Sequence, residues 1–259
     1  MPRLPVLFIS HGAPDLPLRS GAVQDFLRQL PQTLPHPQAI LVVSAHWNSP
    51  EPWVSAAPEP KTIYDFSGFP DALYQLKYPA AGAPELANRV VELLSKAGFA
   101  AATHPSRGLD HGAWTPLMLV YPEAQIPVTQ LSIQYQQGGE HHFRLGRALE
   151  PLRDEGVLIV ASGAATHNLR AFNPTYEAPP PDWVTAFDDW LSDAIAQHDT
   201  QSLLNYRQLA PHAADNHPTE EHLLPLFVAL GAGGKDAQGR QLHSSYTYGV
   251  FSMAAYAFE

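Results

Sequence analysis

The sequence predicts an α/β protein, an open sheet of strands alternating with helices, on three observations. Leu4 to Ser10, Ala39 to Ala45 and Val157 to Gly163 are short apolar runs rich in branched residues, which read as buried strands. Segments with helical spacing of apolar residues lie between them. Each run leads to a histidine: His11 directly after the first, His46 directly after the second, and His167 four residues past the third. Ligands in open α/β sheets bind outside the carboxyl ends of the strands. If the three strands run parallel, their histidines share one edge and can face one site.

The elements follow in order. His11-Gly12-Ala13-Pro14-Asp15 is a turn in which Gly supplies freedom and Pro stiffness. Val23, Phe26, Leu27 and Leu30 predict a helix over residues 21–30, ended by Pro31, Pro35 and Pro37. Trp53 to Ala56 reads as a short strand. Residues 57–82 form a long connection carrying Tyr64, Phe66, Phe69, Tyr74 and Tyr78. Connections this long inside a compact domain are functional or disordered, and the aromatics favour a pocket wall or lid. Pro84 to Gly98 reads as a helix with Pro in its first turn and a Gly cap. Arg107 to Leu117 is a polar loop with Gly on both sides of Asp110-His111, running into an apolar helix that ends near Val120. Residues 126–133 read as a strand, 139–153 as a helix, 183–196 as a helix with Trp183, Phe187 and Trp190 inward, and 200–209 as a further short helix. A helix is expected over residues 217–231, with acidic residues in its first turn and Gly231 at its end. Residues 233–240 read as a loop and 246–258 as containing a final strand. No internal repeat and no break in composition divides the chain.

Composition narrows the function. The formal net charge of −10, with no Lys/Arg cluster, speaks against a nucleic-acid partner. No apolar run approaches the roughly 20 residues of a membrane span, and a cytoplasmic protein is expected. With no cysteine, any metal must be held by nitrogen and oxygen. Such a site suits Fe(II) or Zn(II), and also Mn or Ni. Thirteen histidines are present; His36, His104, His141, His142, His198, His212 and His243 lie in mixed contexts and read as solvated or satisfied in the core. His217 and His222 are five residues apart, about 140° of helical rotation, so only one of them is expected to reach a metal. His111, between glycines, suits close approach to a ligand.

Ser10 to Pro14, Val43 to Trp47, Tyr64 to Pro70, Gly108 to Trp114, Ala165 to Leu169 and His217 to Leu226, six stretches in this order, together resemble the DOPA 4,5-dioxygenase-like branch of the class III extradiol ring-cleaving dioxygenases. With Ser252 to Tyr256 they span nearly the whole chain. The resemblance implies a single domain over 1–259 built on a central mixed, mostly parallel sheet flanked by helices. It implies one divalent metal, Fe(II) for catalysis with Zn(II) also found, held by His11, His46 and His222. It further implies His167 as the acid–base histidine, able to approach the metal, and His111 lining the same pocket. The partners would be a small aromatic diol and O2. Three histidines with an open position also describe catalytic zinc, so the competing expectation is a zinc-dependent hydrolase. Arg107, Arg170 and Lys77 are candidate holders of a substrate carboxylate. Oligomeric state is not legible.

Overall fold

The structure, a computed structural model, describes residues 2–259. Among the described residues ten strands are present: β1 (Val6–Ser10), β2 (Ala39–Asn48), β3 (Trp53–Ser55), β4 (Ala102–His104), β5 (Val128–Ile133), β6 (Val157–Gly163), β7 (Gly239–His243), β8 (Tyr246–Thr247), β9 (Phe251–Ser252) and β10 (Ala255–Phe258). The helices are α1 (Ala22–Gln29), α2 (Pro84–Lys96), α3 (His111–Val120), α4 (Gly138–Leu149), α5 (Asp182–Ala196), α6 (Thr200–Leu204), α7 (Tyr206–Leu209), α8 (Ala213–Asn216) and α9 (Leu224–Gly233).

Eight strands form one mixed sheet in the order β4-β3-β5-β2-β6-β1-β10-β7, and β8 pairs separately with β9. The central four, β5, β2, β6 and β1, are parallel. β10 and β7 add antiparallel at one side. Successive side chains of a strand face opposite sides, so each central strand feeds two cores. Val6, Phe8, Leu41, Val43, Ile159 and Ala161 pack with α2, α4, α5 and α9. Leu7, Ile9, Ile40, Val42, Leu158 and Val160 pack with α1 and α3 on the other face. The fold is therefore the α/β sheet that the apolar runs predict, in the single domain flanked by helices that the resemblance implies.

Parallel alignment puts the ends of β1, β2 and β6 at one edge. β1 and β6 stay in register to Ser10↔Gly163, and the His11 amide continues the ladder by donating to the Gly163 carbonyl at 2.9 Å. The β2–β5 register is regular to Val43↔Leu131, breaks, and resumes at Asn48↔Ile133. The break spans Ser44 to Trp47 and re-aims His46, a common use of bulges beside functional sites.

Several expectations change. The helix expected over 217–231 begins only at Leu224, with Pro225 in its first turn. Glu220 and Glu221 precede it in a turn: Glu220 pairs with Arg207 at 3.0 Å and Glu221 with His222 at 3.1 Å. Residues 246–258 contain three short strands rather than one, and β7 begins inside the expected loop. Phe187 is fully buried, whereas Trp183 and Trp190 are half-buried at the core's margin. Among the described residues no helix is long and apolar enough to cross a membrane.

Candidate metal centre

The strand-end histidines meet at one point. His11 Nε2 lies 3.0 Å from His46 Nε2, which lies 3.3 Å from His222 Nε2. His222 arrives from the turn before α9, anchored where its carbonyl accepts from the Ala164 amide at 2.9 Å. His11 and His222 are buried, 1% and 6% exposed.

The surrounding hydrogen bonds decide where the ring protons sit. The Ser162 hydroxyl donates to the Gly112 carbonyl, so its oxygen accepts from His11 Nδ1 at 2.9 Å. The Glu221 carboxylate, which can only accept, accepts a hydrogen bond from the Nδ1–H of His222 at 3.1 Å. Both rings thus turn a bare Nε2 into the cluster. His46 Nδ1 faces Asp65 Oδ2 at 3.4 Å, and a neutral imidazole has one proton to place. On Nδ1 it serves Asp65 but leaves three lone pairs converging. On Nε2 it leaves a lone pair against a carboxylate. A cation held by the three Nε2 atoms resolves the conflict. Metal–nitrogen bonds of about 2.0–2.1 Å set neighbouring ligand nitrogens about 2.9–3.4 Å apart, and both observed spacings fall in that range. The donor set fits a divalent ion.

Electrostatics agree. Burial, followed by repulsion from neighbouring imidazoles, holds His11 and His222 well below the ordinary imidazole range. Burial and then His111 lower His46 to about 4. All three are neutral at pH 7, the form a metal requires.

His167 stacks flat on His222, ring centroids 3.5 Å apart at 9°. It can gather with Glu221 and His222 but does not join the three-histidine set. Burial, then His217, lower it to about 4. His111, which opens α3 rather than sitting in a free loop, places its ring 3.9 Å from that of His46. These groups floor a cleft of about 280 Å³ walled by Phe66, Phe69, Leu169, Phe172 and Phe251. The 57–82 connection contributes Phe66 and Phe69, whereas Tyr78 turns into the core and donates to the Tyr121 carbonyl at 3.0 Å. A larger open depression of about 660 Å³ lies at the opposite edge, but its Arg89 is spent on Glu155 at 2.6 Å.

Sequence pattern assigns Asp65 and Ser162 no role and reads Glu221 only as an acidic residue of a helix's first turn, yet each touches a cluster imidazole. No periodicity marks them; only the proximity of Glu221 to His222 was visible. His217 stays outside the cluster: its Nε2 donates to the Ala165 carbonyl at 2.8 Å and steadies the His167 loop. His142 is a satisfied core residue, taking the Gln134 amide at 3.1 Å. Arg107, Arg170 and Lys77 do not line the cleft, and Arg107 pairs with Asp110 at 3.1 Å.

Comparison with known proteins gives the same direction. Residues 6–259 match the family described as the catalytic LigB subunit of aromatic ring-opening dioxygenase. The chain is 46% identical over 255 residues to a 4,5-DOPA dioxygenase extradiol of Beta vulgaris, covering 97% of this chain and 95% of that one. It is 42% identical to one from Escherichia coli, covering 89% and 85%. A crystal structure of an uncharacterized Escherichia coli protein superposes with a TM-score of 0.84 at 34% identity, covering 99% of this chain and 100% of that chain. The strand-end histidines thus sit in a chain that belongs to the class III extradiol ring-cleaving dioxygenases, in their DOPA-dioxygenase-like branch, and that is an aromatic ring-opening oxidoreductase.

Proposed function

We propose that this protein opens the ring of a small aromatic diol beside its hydroxyls, using O2 and one divalent metal held by His11, His46 and His222. Fe(II) is the proposed metal for turnover, and Zn(II) also suits three imidazoles. The observation that carries the reading is the convergence of three bare Nε2 atoms on the floor of an apolar cleft. Residues 1–259 act in this reading as one catalytic domain.

The chemistry supplied by the bound ion is Lewis acidity toward the diol hydroxyls and an electron path between diol and O2. The remaining tasks fall to the chain. Phe66, Phe69 and Phe251 flank the substrate ring and keep water out of the cleft. His167, neutral because buried, accepts a proton from a substrate hydroxyl and returns it as the ring opens. His111, which lines the cleft, accepts a hydrogen bond from a substrate hydroxyl. The cleft volume is at the low end for small-molecule sites, which fits a single ring. Family membership favours this reading over the zinc hydrolase.

The test is oxygen uptake by stripped protein reloaded anaerobically with Fe(II) or Zn(II), with DOPA and simple catechols as substrates. Uptake with iron, a yellow ring-opened product and loss of both in His46→Ala and His222→Ala are expected. No uptake with any catechol in either form would refute the proposal.

A further inference from the structure

We propose that Asp65 is a positioning residue whose single carboxylate fixes the proton placement and rotation of two site histidines, His46 and His111. The inference rests on the reading of His46 as a metal ligand through Nε2.

Asp65 belongs to the connection between β3 and α2, a segment whose position is set by backbone stitching. Ile63 donates to the Leu109 carbonyl at 2.8 Å, and Leu109 donates to the Lys61 carbonyl at 2.9 Å. Trp114 Nε1 donates to the Ile63 carbonyl at 3.0 Å. Two residues beyond this clamp, Asp65 meets the start of α3. Its Oδ1 accepts from the His111 amide at 3.0 Å, one of the donors a helix leaves without an internal partner at its first turn.

The other oxygen faces both rings. Oδ2 lies 3.0 Å from His111 Nδ1 and 3.4 Å from His46 Nδ1. The His111 contact lies within hydrogen-bond distance but off the straight line of a hydrogen bond. Among the described residues no other side-chain acceptor serves either Nδ1. One carboxylate therefore faces three N–H donors from two elements, and only an acceptor-only group can serve all three. With both Nδ1 atoms protonated, each neutral ring has a bare Nε2. For His46 that is the atom 3.0 Å from His11 and 3.3 Å from His222.

An amide cannot replace it. Asparagine at this position has one accepting oxygen and a donating NH2 group. Its NH2 group would then face either the His111 amide or both Nδ1–H groups, and the second clash is the one that reaches the metal site. Moving the His46 proton to Nε2 would relieve that clash and cap the lone pair needed for the metal. Histidine ligands are generally held this way by a carboxylate or carbonyl on the distal nitrogen, and losing that partner weakens metal binding about 10- to 100-fold. Asp65 could instead be a ligand itself, since His46, Asp65 and His111 also gather closely enough for an ion. Against this, one of its oxygens already holds the α3 amide, and the three-histidine set lies deeper.

The test uses the metal-stripped full chain titrated with Zn(II) against a chromophoric chelator, comparing wild type, Asp65→Asn and His222→Ala. Wild type should bind one equivalent. Asp65→Asn should keep that stoichiometry with a dissociation constant about 10- to 100-fold weaker, and His222→Ala should lose the site. Equal affinity in Asp65→Asn and wild type would overturn the proposal. So would loss of zinc in Asp65→Asn with retention in His222→Ala, which would make Asp65 a ligand. No binding by wild type would refute the three-histidine reading itself. Imidazole nitrogen NMR of the zinc-loaded wild-type protein needs no variant: His46 and His111 should carry their protons on Nδ1. Protons on Nε2 would overturn the assignment even if Asp65→Asn fails to fold.

Discussion

Replacing Gly163 by alanine tests whether the meeting point of β6 and the His222 turn sets the metal centre. Gly163 ends β6, and a Cβ there would overlap the His222 carbonyl oxygen, with the His222 carbonyl carbon at 3.2 Å and Pro225 Cγ at 3.3 Å. The obstacle is backbone, so it cannot swing aside like the end of a flexible side chain. Relief requires a shift of the His222 turn on the order of 1 Å, and sites of this kind tolerate only about 0.5 Å. The shift also loosens the bond from the Ala164 amide to the His222 carbonyl. Overpacking costs about 1–3 kcal/mol and a weakened hydrogen bond about 0.5–1.5 kcal/mol. The reduced freedom of the unfolded chain returns about 0.4–1 kcal/mol. The net is a loss on the order of 2 kcal/mol, or about 4–8 °C in Tm for a chain of this size. Moving one of three ligands by this distance should weaken Zn(II) binding more than tenfold. Urea unfolding and a zinc titration on the same preparation measure both effects. A Gly163→Ala protein with unchanged or higher stability and wild-type zinc affinity would refute the reasoning.

Three further outcomes are expected. Ser162→Ala removes the acceptor of His11 Nδ1 and the donor to the Gly112 carbonyl; it should cost about 1–3 kcal/mol in urea unfolding and weaken zinc retention, and unchanged values would refute the assigned proton placement. Phe66→Ala and Phe69→Ala open the cleft wall and should raise KM for catechols more than they lower kcat; an unchanged KM for every catechol tested would remove these rings from the substrate's surroundings. Acid should destabilise the metal-free protein. Burial lowers His142 to about 4, so below pH 6.5 the unfolded chain takes up a proton that the folded chain refuses. The stability contribution is complete above about pH 6.5 and is lost as pH falls toward 4, on the order of 3 kcal/mol for this residue alone. His46, His167 and His217, each also lowered to about 4, act in the same direction. Equal unfolding free energies at pH 7 and pH 4.5 would contradict this.

The sequence by itself determined the central strands, the fold class and the strand-end positions of His11 and His46, because those features are local. Burial of a parallel strand on both faces demands a continuous apolar run, and a histidine placed at the end of such a run is carried to the ligand edge by topology. The six ordered motifs did the same for the family. Tertiary structure alone decided what surrounds those histidines. Asp65 and His46 are brought together from separate segments, as are Ser162 and His11, and no spacing in the chain encodes either pair. The expected helix over 217–231 shows the same limit. Acidic residues before an apolar run read as a first turn, but Glu220 and Glu221 are drawn to Arg207 and His222 by side chains the local pattern does not contain. The turn that results lets the His222 carbonyl dock on the Ala164 amide. Likewise, only packing turned the aromatic connection into part cleft wall, at Phe66 and Phe69, and part core, at Tyr78. Periodicity reports which face of an element is buried, whereas the partner of a buried polar atom is fixed by contacts distant in the chain.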